Sequence, residues 1–294
     1  MRKNKLQRAI VLAMTGVGIL TVATDLSAST TYYNKFNANA STTGAVDGYV
    51  GSGFTGLDAG LAPFNYSGSA PVNWATRLTV QNDSATVSRA NAIDTYGVAA
   101  DVDTAIGAWN DGKYTNFFGS AGWIHQMDEG LILSDHTQYV TVSLAGATTV
   151  TDSTYKTINT DWQFGISIFE GMDTGANFAF NAHSSWNDGY CPASAAECTT
   201  SSLGLVEADN PPGFEGLTFK TFSGDSSVTF LAQEGQVYSV LLGGNNFGHY
   251  LGNISEYEAT ITTSPVPIPM AGWLFGTSLL SLLGYRRHKG VQSK

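Results

Sequence analysis

The sequence predicts a mainly β fold, an antiparallel β-sandwich, and three observations carry the prediction. Gly, Thr, Ser, Tyr and Phe are plentiful, while charged residues make up only 13% of the 294. Such a composition favours strands and turns over helices. Several segments alternate apolar and polar residues in steps of two, and no helical period of any length appears in the body of the chain. Turn-forming clusters separate those segments at short intervals.

Taken in order, the first element stands outside that fold. Arg2, Lys3, Lys5 and Arg8 precede an apolar run from Ala9 to Ala23, and small residues follow, with Ala28 before Ser29. A basic start, an apolar middle and a small-residue end describe a secretory signal peptide over 1–28. The body, 29–264, suffices for one large domain or two small ones, and one sandwich is expected over all of it. It is Gly-rich from Gly44 to Gly60. Trp74 to Val80 (WATRLTV) then reads as a strand, and Ala85 to Val102 is a mixed stretch assigned to the same sandwich.

The pattern sharpens further on. Val140, Val142 and Leu144 point one way, with Tyr139, Thr141 and Ser143 opposite. Phe164, Ile166 and Ile168 alternate with Gly165 and Ser167. Phe219 within LTFKTF, and Val228 and Phe230 within SVTFL, continue the series. Val237 to Leu242, apolar but for Ser239, reads as a central strand, and Tyr257, Ala259 and Ile261 close the set. Asp173-Thr174-Gly175, Ser223-Gly224-Asp225, Glu234-Gly235 and Gly243-Gly244-Asn245-Asn246 supply the turns.

Charge narrows the function. Of 14 Lys and Arg, six fall within 29–264, against 23 of the 24 Asp and Glu, a net charge near −17 for the body. Such a surface repels nucleic acid and anionic lipid and attracts divalent cations. Nucleic-acid binding is set aside. Cys191 and Cys198, separated by six residues, are expected to pair and close a small loop in an oxidising exported setting. A metal site would want more Cys or His nearby, and a redox pair would want CxxC spacing.

Candidate sites are few. Trp109-Asn110-Asp111-Gly112 and Trp186-Asn187-Asp188-Gly189 repeat one string. Asn-Asp-Gly is turn chemistry, and an adjacent Trp then packs on the core. The functional alternative is that Trp109, Trp123 and Trp186 stack on sugar rings while Asp111 and Asp188 bond hydroxyls. Asp101 and Asp103 form a DxD pair, which offers a structural Ca²⁺ only part of the six to eight oxygens it takes; a solvated loop is the competing reading. The histidines show no metal-ligand spacing, and no GxSxG elbow occurs. Asp128 and Glu129 are adjacent, so on a strand they face opposite ways and make a poor acid/base pair.

The C-terminal stretch, 265–290, has three parts. Pro265, Pro267 and Pro269 make a stiff extended lead-in. An uncharged apolar run from Ile268 to Tyr285 follows, roughly 18 residues or about 27 Å as a helix, near the lower limit for crossing a bilayer. Arg286, Arg287, His288 and Lys289 end it with the basic cluster expected on the cytoplasmic side. A single C-terminal transmembrane helix and an inner-membrane-anchored precursor are therefore expected.

That order of parts resembles the PEP-CTERM sorting signal in its VPLPA-type variant. The matching residues are Val266, Pro267, Ile268, Pro269 and Met270, then Trp273-Leu274-Phe275-Gly276, then Arg286 and Arg287. Met270 stands where the family usually has Ala. The resemblance implies a partner, a membrane-embedded exosortase-type protease, and a destination at the cell surface or outside. It implies an address and no activity. The stretch Gly122-Trp123-Ile124-His125 together with YVTVSLAGATTVT and FGISIFEGMDTG is similar to the β-sandwich ectodomains found ahead of such tails and to bacterial pre-peptidase C-terminal domains. That likeness implies a jelly-roll-like module.

The sequence reading is thus an exported structural or adhesive protein of an exopolysaccharide or biofilm matrix, without catalysis. Its alternatives are a carbohydrate-binding module and a hydrolase of matrix polymers.

Overall fold

Two main sheets of six and four strands carry the architecture among the described residues, and their strand order decides which side chains face each other. The computed structural model describes residues 29–34, 53–58, 61–98, 100, 102–105, 109, 127–150, 158–161, 164–176, 209–211, 214–244, 253–254 and 256–267. In chain order the elements are β1 (Thr30–Tyr33), β2 (Trp74–Leu78), β3 (Ser84–Val87), helix α1 (Arg89–Tyr96), β4 (Thr104–Ala105), β5 (Asp128–Ser134), β6 (Gln138–Ala145), β7 (Ala147–Val150) and β8 (Ile158–Asp161). Then come β9 (Phe164–Glu170), β10 (Thr218–Ser223), β11 (Ser227–Ala232), β12 (Val237–Gly244), β13 (Asn253–Ile254) and β14 (Glu258–Pro265).

A six-stranded sheet runs β1-β2-β5-β12-β9-β10, and a four-stranded sheet runs β11-β6-β14-β3. Their inner faces share one core. Trp74, Ile132, Ile166, Ile168, Val240 and Leu242 come from the larger sheet and Val140, Val142, Val228, Phe230, Ala259 and Ile261 from the smaller. The period-2 pattern sets this, because alternate residues of a strand leave by opposite faces. The outer face of the six-stranded sheet is covered as well. Loop residues around Phe54, Tyr66 and Val72 pack on Ala75 and Leu131, and Trp109, Met127, Phe214 and Leu217 pack on Phe169 and Leu241. Its central strands β9 and β12 are accordingly buried on both sides.

Two expectations are corrected here. The fold is not wholly antiparallel or jelly-roll-like: β2 and β5 pair in parallel, Trp74 opposite Gly130. The chain leaves β2, crosses to the other sheet for β3 and returns to β5 in the same direction, which a parallel pair requires. Gly130 permits the pairing, since a Cβ there would sit 2.1 Å from the Trp74 indole. The mixed stretch after Ala85 holds a helix as well as a strand. Ser88 caps α1 by accepting from the Asn91 N–H at 3.0 Å, and Gly97 ends it with φ of 70°.

The membrane expectations are corrected too. Among the described residues no helix is long and apolar enough to cross a membrane; α1 has 8 residues, where a span takes about 20. The chain reaches its C-terminal stretch as a strand, β14, which runs to Pro265. The expected transmembrane helix, and the inner-membrane-anchored precursor that depended on it, thus have no support in the described structure. Their segment, 268–290, lies outside the described residues. No disulfide occurs among the described residues either, and Cys191 and Cys198 lie outside them.

Candidate functional site

Trp109 is the sequence-predicted ligand residue that the structure describes most fully, and it is 2% exposed. Its Nε1 donates to Ser167 Oγ at 3.2 Å, and its ring packs on Phe222 with centroids 6.1 Å apart. The indole lies so close over Gly165 that a Cβ there would be 1.6 Å from it. The ring is a core element and offers no platform to a sugar. Asp111, Trp123, Trp186, Asp188, Asp101, Ile268, Pro269, Met270, Arg286 and Arg287 lie outside the described residues. Val266 and Pro267 are exposed just beyond β14, and Asp103 is half-buried before β4.

Strand β5 carries two acids inward, by opposite faces. Asp128 enters the core between the sheets, where its Oδ2 accepts from Tyr257 Oη at 2.5 Å. Tyr257 in turn accepts from Trp74 Nε1 at 2.9 Å. Burial, then the Asp128 charge, hold the Tyr257 hydroxyl well above the usual phenol range. This chain ties the segment before β14 to β2 and β5, and all three residues are at most 2% exposed.

Glu129 leaves by the outer face into a second sealed site. It is fully buried, and neither carboxylate oxygen has a hydrogen-bond partner. Burial, then the nearby Asp173 carboxylate, push it well above its usual range; the Ser239 hydroxyl pulls the other way. The Ser239 hydroxyl donates to Gly171 O at 3.1 Å. The neighbouring Asn73 accepts the Glu129 N–H at 3.1 Å, while its own amide nitrogen is unpartnered.

Asp173 is fixed differently. Its Oδ2 accepts from the N–H groups of Ser69 and Ala70, both at 3.0 Å. Its Oδ1 accepts from Gly175 at 2.9 Å and Glu215 at 3.0 Å. Asp173 is a structural staple for three loop segments. Sequence reasoning named Glu129 only as a poor acid/base partner of Asp128 and missed Asp173, which sat in a string read only as a turn.

One accessible polar surface among the described residues is the solvent face of the four-stranded sheet. Ser227, Ser143, Thr260 and Thr86 lie in one rank across its strands, and Thr229, Thr141, Thr262 and Ser84 in a second. None of the eight is buried. Thr141 and Thr229 hydroxyls lie 2.7 Å apart, and those of Ser143 and Ser227 2.9 Å. Tyr139, 38% exposed, closes one end of the face with the half-buried Leu231 opposite it. Glu258 stands at the other end opposite Ala145. Neither Lys nor Arg occurs among these positions.

As to chemistry, no group of three or more His, Cys, Asp or Glu is placed to hold a metal among the described residues. The hydroxyls of the open face have no His or carboxylate within the two ranks to activate them.

No protein-family model matches the chain, and no curated protein matches it. The solved structures that align in part include two bacterial proteins. The surface-associated copper-binding protein CorA of Methylomicrobium album BG8 is 16% identical, with 65% of this chain and 98% of that one covered and a TM-score of 0.31. The secreted protein MopE of Methylococcus capsulatus is 11% identical, with 78% and 97% covered and a TM-score of 0.28. At those scores the likeness carries no argument about this chain's architecture or ligands.

Proposed function

We propose that this chain is an exported surface or matrix protein that works by presenting a rigid β scaffold, without catalysis. One observation carries the reading: the division of labour between the two sheets. The adjacent acids Asp128 and Glu129 are sealed on opposite faces of β5. The open sheet face carries ranked hydroxyls and no activating base. A glycoside hydrolase needs two carboxyl groups about 5–10 Å apart flanking an accessible bond. The N-terminal segment, with its basic start and Ala28-Ser29 end, supports export. On the same reading, Val266 to Met270 is the motif by which an exosortase-type protease sorts the chain.

The test is the intact mass of the protein recovered from the cell surface and from the medium, with an assay for released reducing ends on matrix polysaccharide. The expected species begins near residue 29 and ends within 266–270, and releases no sugar. A species that keeps Arg286 and Arg287 would remove the sorting step, and sugar release by the purified chain would remove the non-catalytic reading.

A further inference from the structure

We propose that the solvent face of the four-stranded sheet is a docking surface for a neutral, hydroxyl-rich polysaccharide chain. The proposal rests on the scaffold reading above and names its partner. A solvent-facing strand is ordinarily kept soluble by Lys and Glu. Here, in a body whose net charge is near −17, the two ranks carry hydroxyls alone, and Glu258 stands at their end, near the Arg89–Glu256 ion pair. The ranks repeat at about 4.8 Å between strands and about 6.8 Å along each strand. The face is therefore a lattice of like groups.

The chemistry of the face selects among partners. A protein partner would want aromatic or aliphatic anchors at the centre of the contact, yet the centre is Thr141, Ser143, Thr260 and Thr262. An anionic polymer or a nucleic acid would want cations, and none is present among these positions. A neutral polysaccharide brings repeated hydroxyls, each both donor and acceptor. Each Ser or Thr hydroxyl has one donor and two acceptor sites. Pairing Thr141 with Thr229, and Ser143 with Ser227, leaves roughly one donor and three acceptor sites per pair for a ligand. The pairing also fixes their rotamers in advance, and β-branched Thr is stiff at χ1, so little freedom is lost on docking. Tyr139 adds an amphipathic ring at the end of the ranks.

The experiment is co-sedimentation of the full chain with an insoluble neutral glucan, cellulose, and with insoluble chitin, against an anionic polymer gel as comparison. The wild-type chain is expected to pellet with at least one neutral polymer and to remain in solution with the anionic one. Thr141→Val with Thr262→Val keeps the shape and β-branching but removes two hydroxyls, and is expected to weaken binding about tenfold with the thermal midpoint unchanged. Thr229→Lys, a second and independent variant, is expected to weaken it as well. Wild-type behaviour of both variants would overturn the proposal, as would pelleting with the anionic polymer only. A chain found at the surface that pellets with neither neutral polymer would overturn this inference and leave the scaffold reading intact. Released sugar would overturn the scaffold reading itself.

Discussion

Glu129 is buried in full, and no cation pairs with it among the described residues. Its carboxyl group therefore keeps its proton to higher pH when folded than its ordinary 4.5. Below that value both states are protonated and the group is neutral to stability. Above it the unfolded chain releases the proton first, so stability falls as pH rises toward the folded value. Glu129→Gln, which imitates the protonated acid, is expected to flatten that decline; thermal midpoints measured from pH 4 to pH 9 should converge in acid and separate in base. Equal slopes for the two proteins would show that Glu129 is ionised in the fold. Gly165 makes a purely steric case. Its missing side chain is filled by Trp109, 1.6 Å from where a Cβ would stand. Gly165→Ala should cost about 2–4 kcal/mol and shift the Trp109 fluorescence, both read in one denaturant titration. Both residues were visible in the sequence only as a strand glycine and an acid beside another acid. The alternation put Asp128 and Glu129 on opposite faces. It could not say that both faces of β5 were covered.

At the scale of elements, periodicity was the readable signal. Tyr139, Thr141 and Ser143 alternate with Val140, Val142 and Leu144, and the same strand delivers one set to the core and the other to the hydroxyl ranks. Helix α1 was not readable in this way. It buries only Ala92 and leaves Ile93 48% exposed, so no apolar stripe marks it. Its signals are its ends, Ser88 and Gly97, and the packing comes from its last and third positions: Tyr96 donates to Thr31 O at 2.7 Å, and Asn91 Oδ1 accepts from Tyr33 Oη at 2.8 Å. Such a short helix depends on its cap. Ser88→Ala is expected to cost about 1 kcal/mol in equilibrium urea unfolding, with the sheet signal in circular dichroism preserved. No loss would mean that the tyrosine contacts alone hold the helix. The parallel pairing of β2 and β5 had no local signature, because parallel strands are joined through distant chain.

Across the whole molecule, polar ties hold what the sheets do not. The loop layer over the six-stranded sheet has no ladder of its own, and its segments meet at Asp173. That carboxylate takes four backbone N–H groups, from Ser69, Ala70, Gly175 and Glu215. Gly68 allows the approach, since a Cβ there would stand 2.6 Å from Asp173 Oδ2. Without the acid the N–H groups of the buried Ala70 and Gly175 would lose this acceptor, and charge-assisted bonds are the stronger kind. Asp173→Ala should therefore cost about 3–5 kcal/mol. Asp173→Asn should cost less, because its amide keeps one accepting oxygen for two of the four donors. The loss should also be local first. Residues 61–70 and 171–176 lie in the layer that Asp173 ties down, whereas β6, β11 and β14 pair with each other in the far sheet. Hydrogen exchange on the full chain checks this: faster exchange at Ser69, Ala70 and Glu215 in Asp173→Asn, with β6 and β14 unchanged, is the expected pattern. Uniform acceleration across both sheets would instead make the loop layer and the sandwich one cooperative unit. In that case the hydroxyl face would be only as firm as the staple on the opposite side, and Asp173→Asn would also weaken whatever binds there.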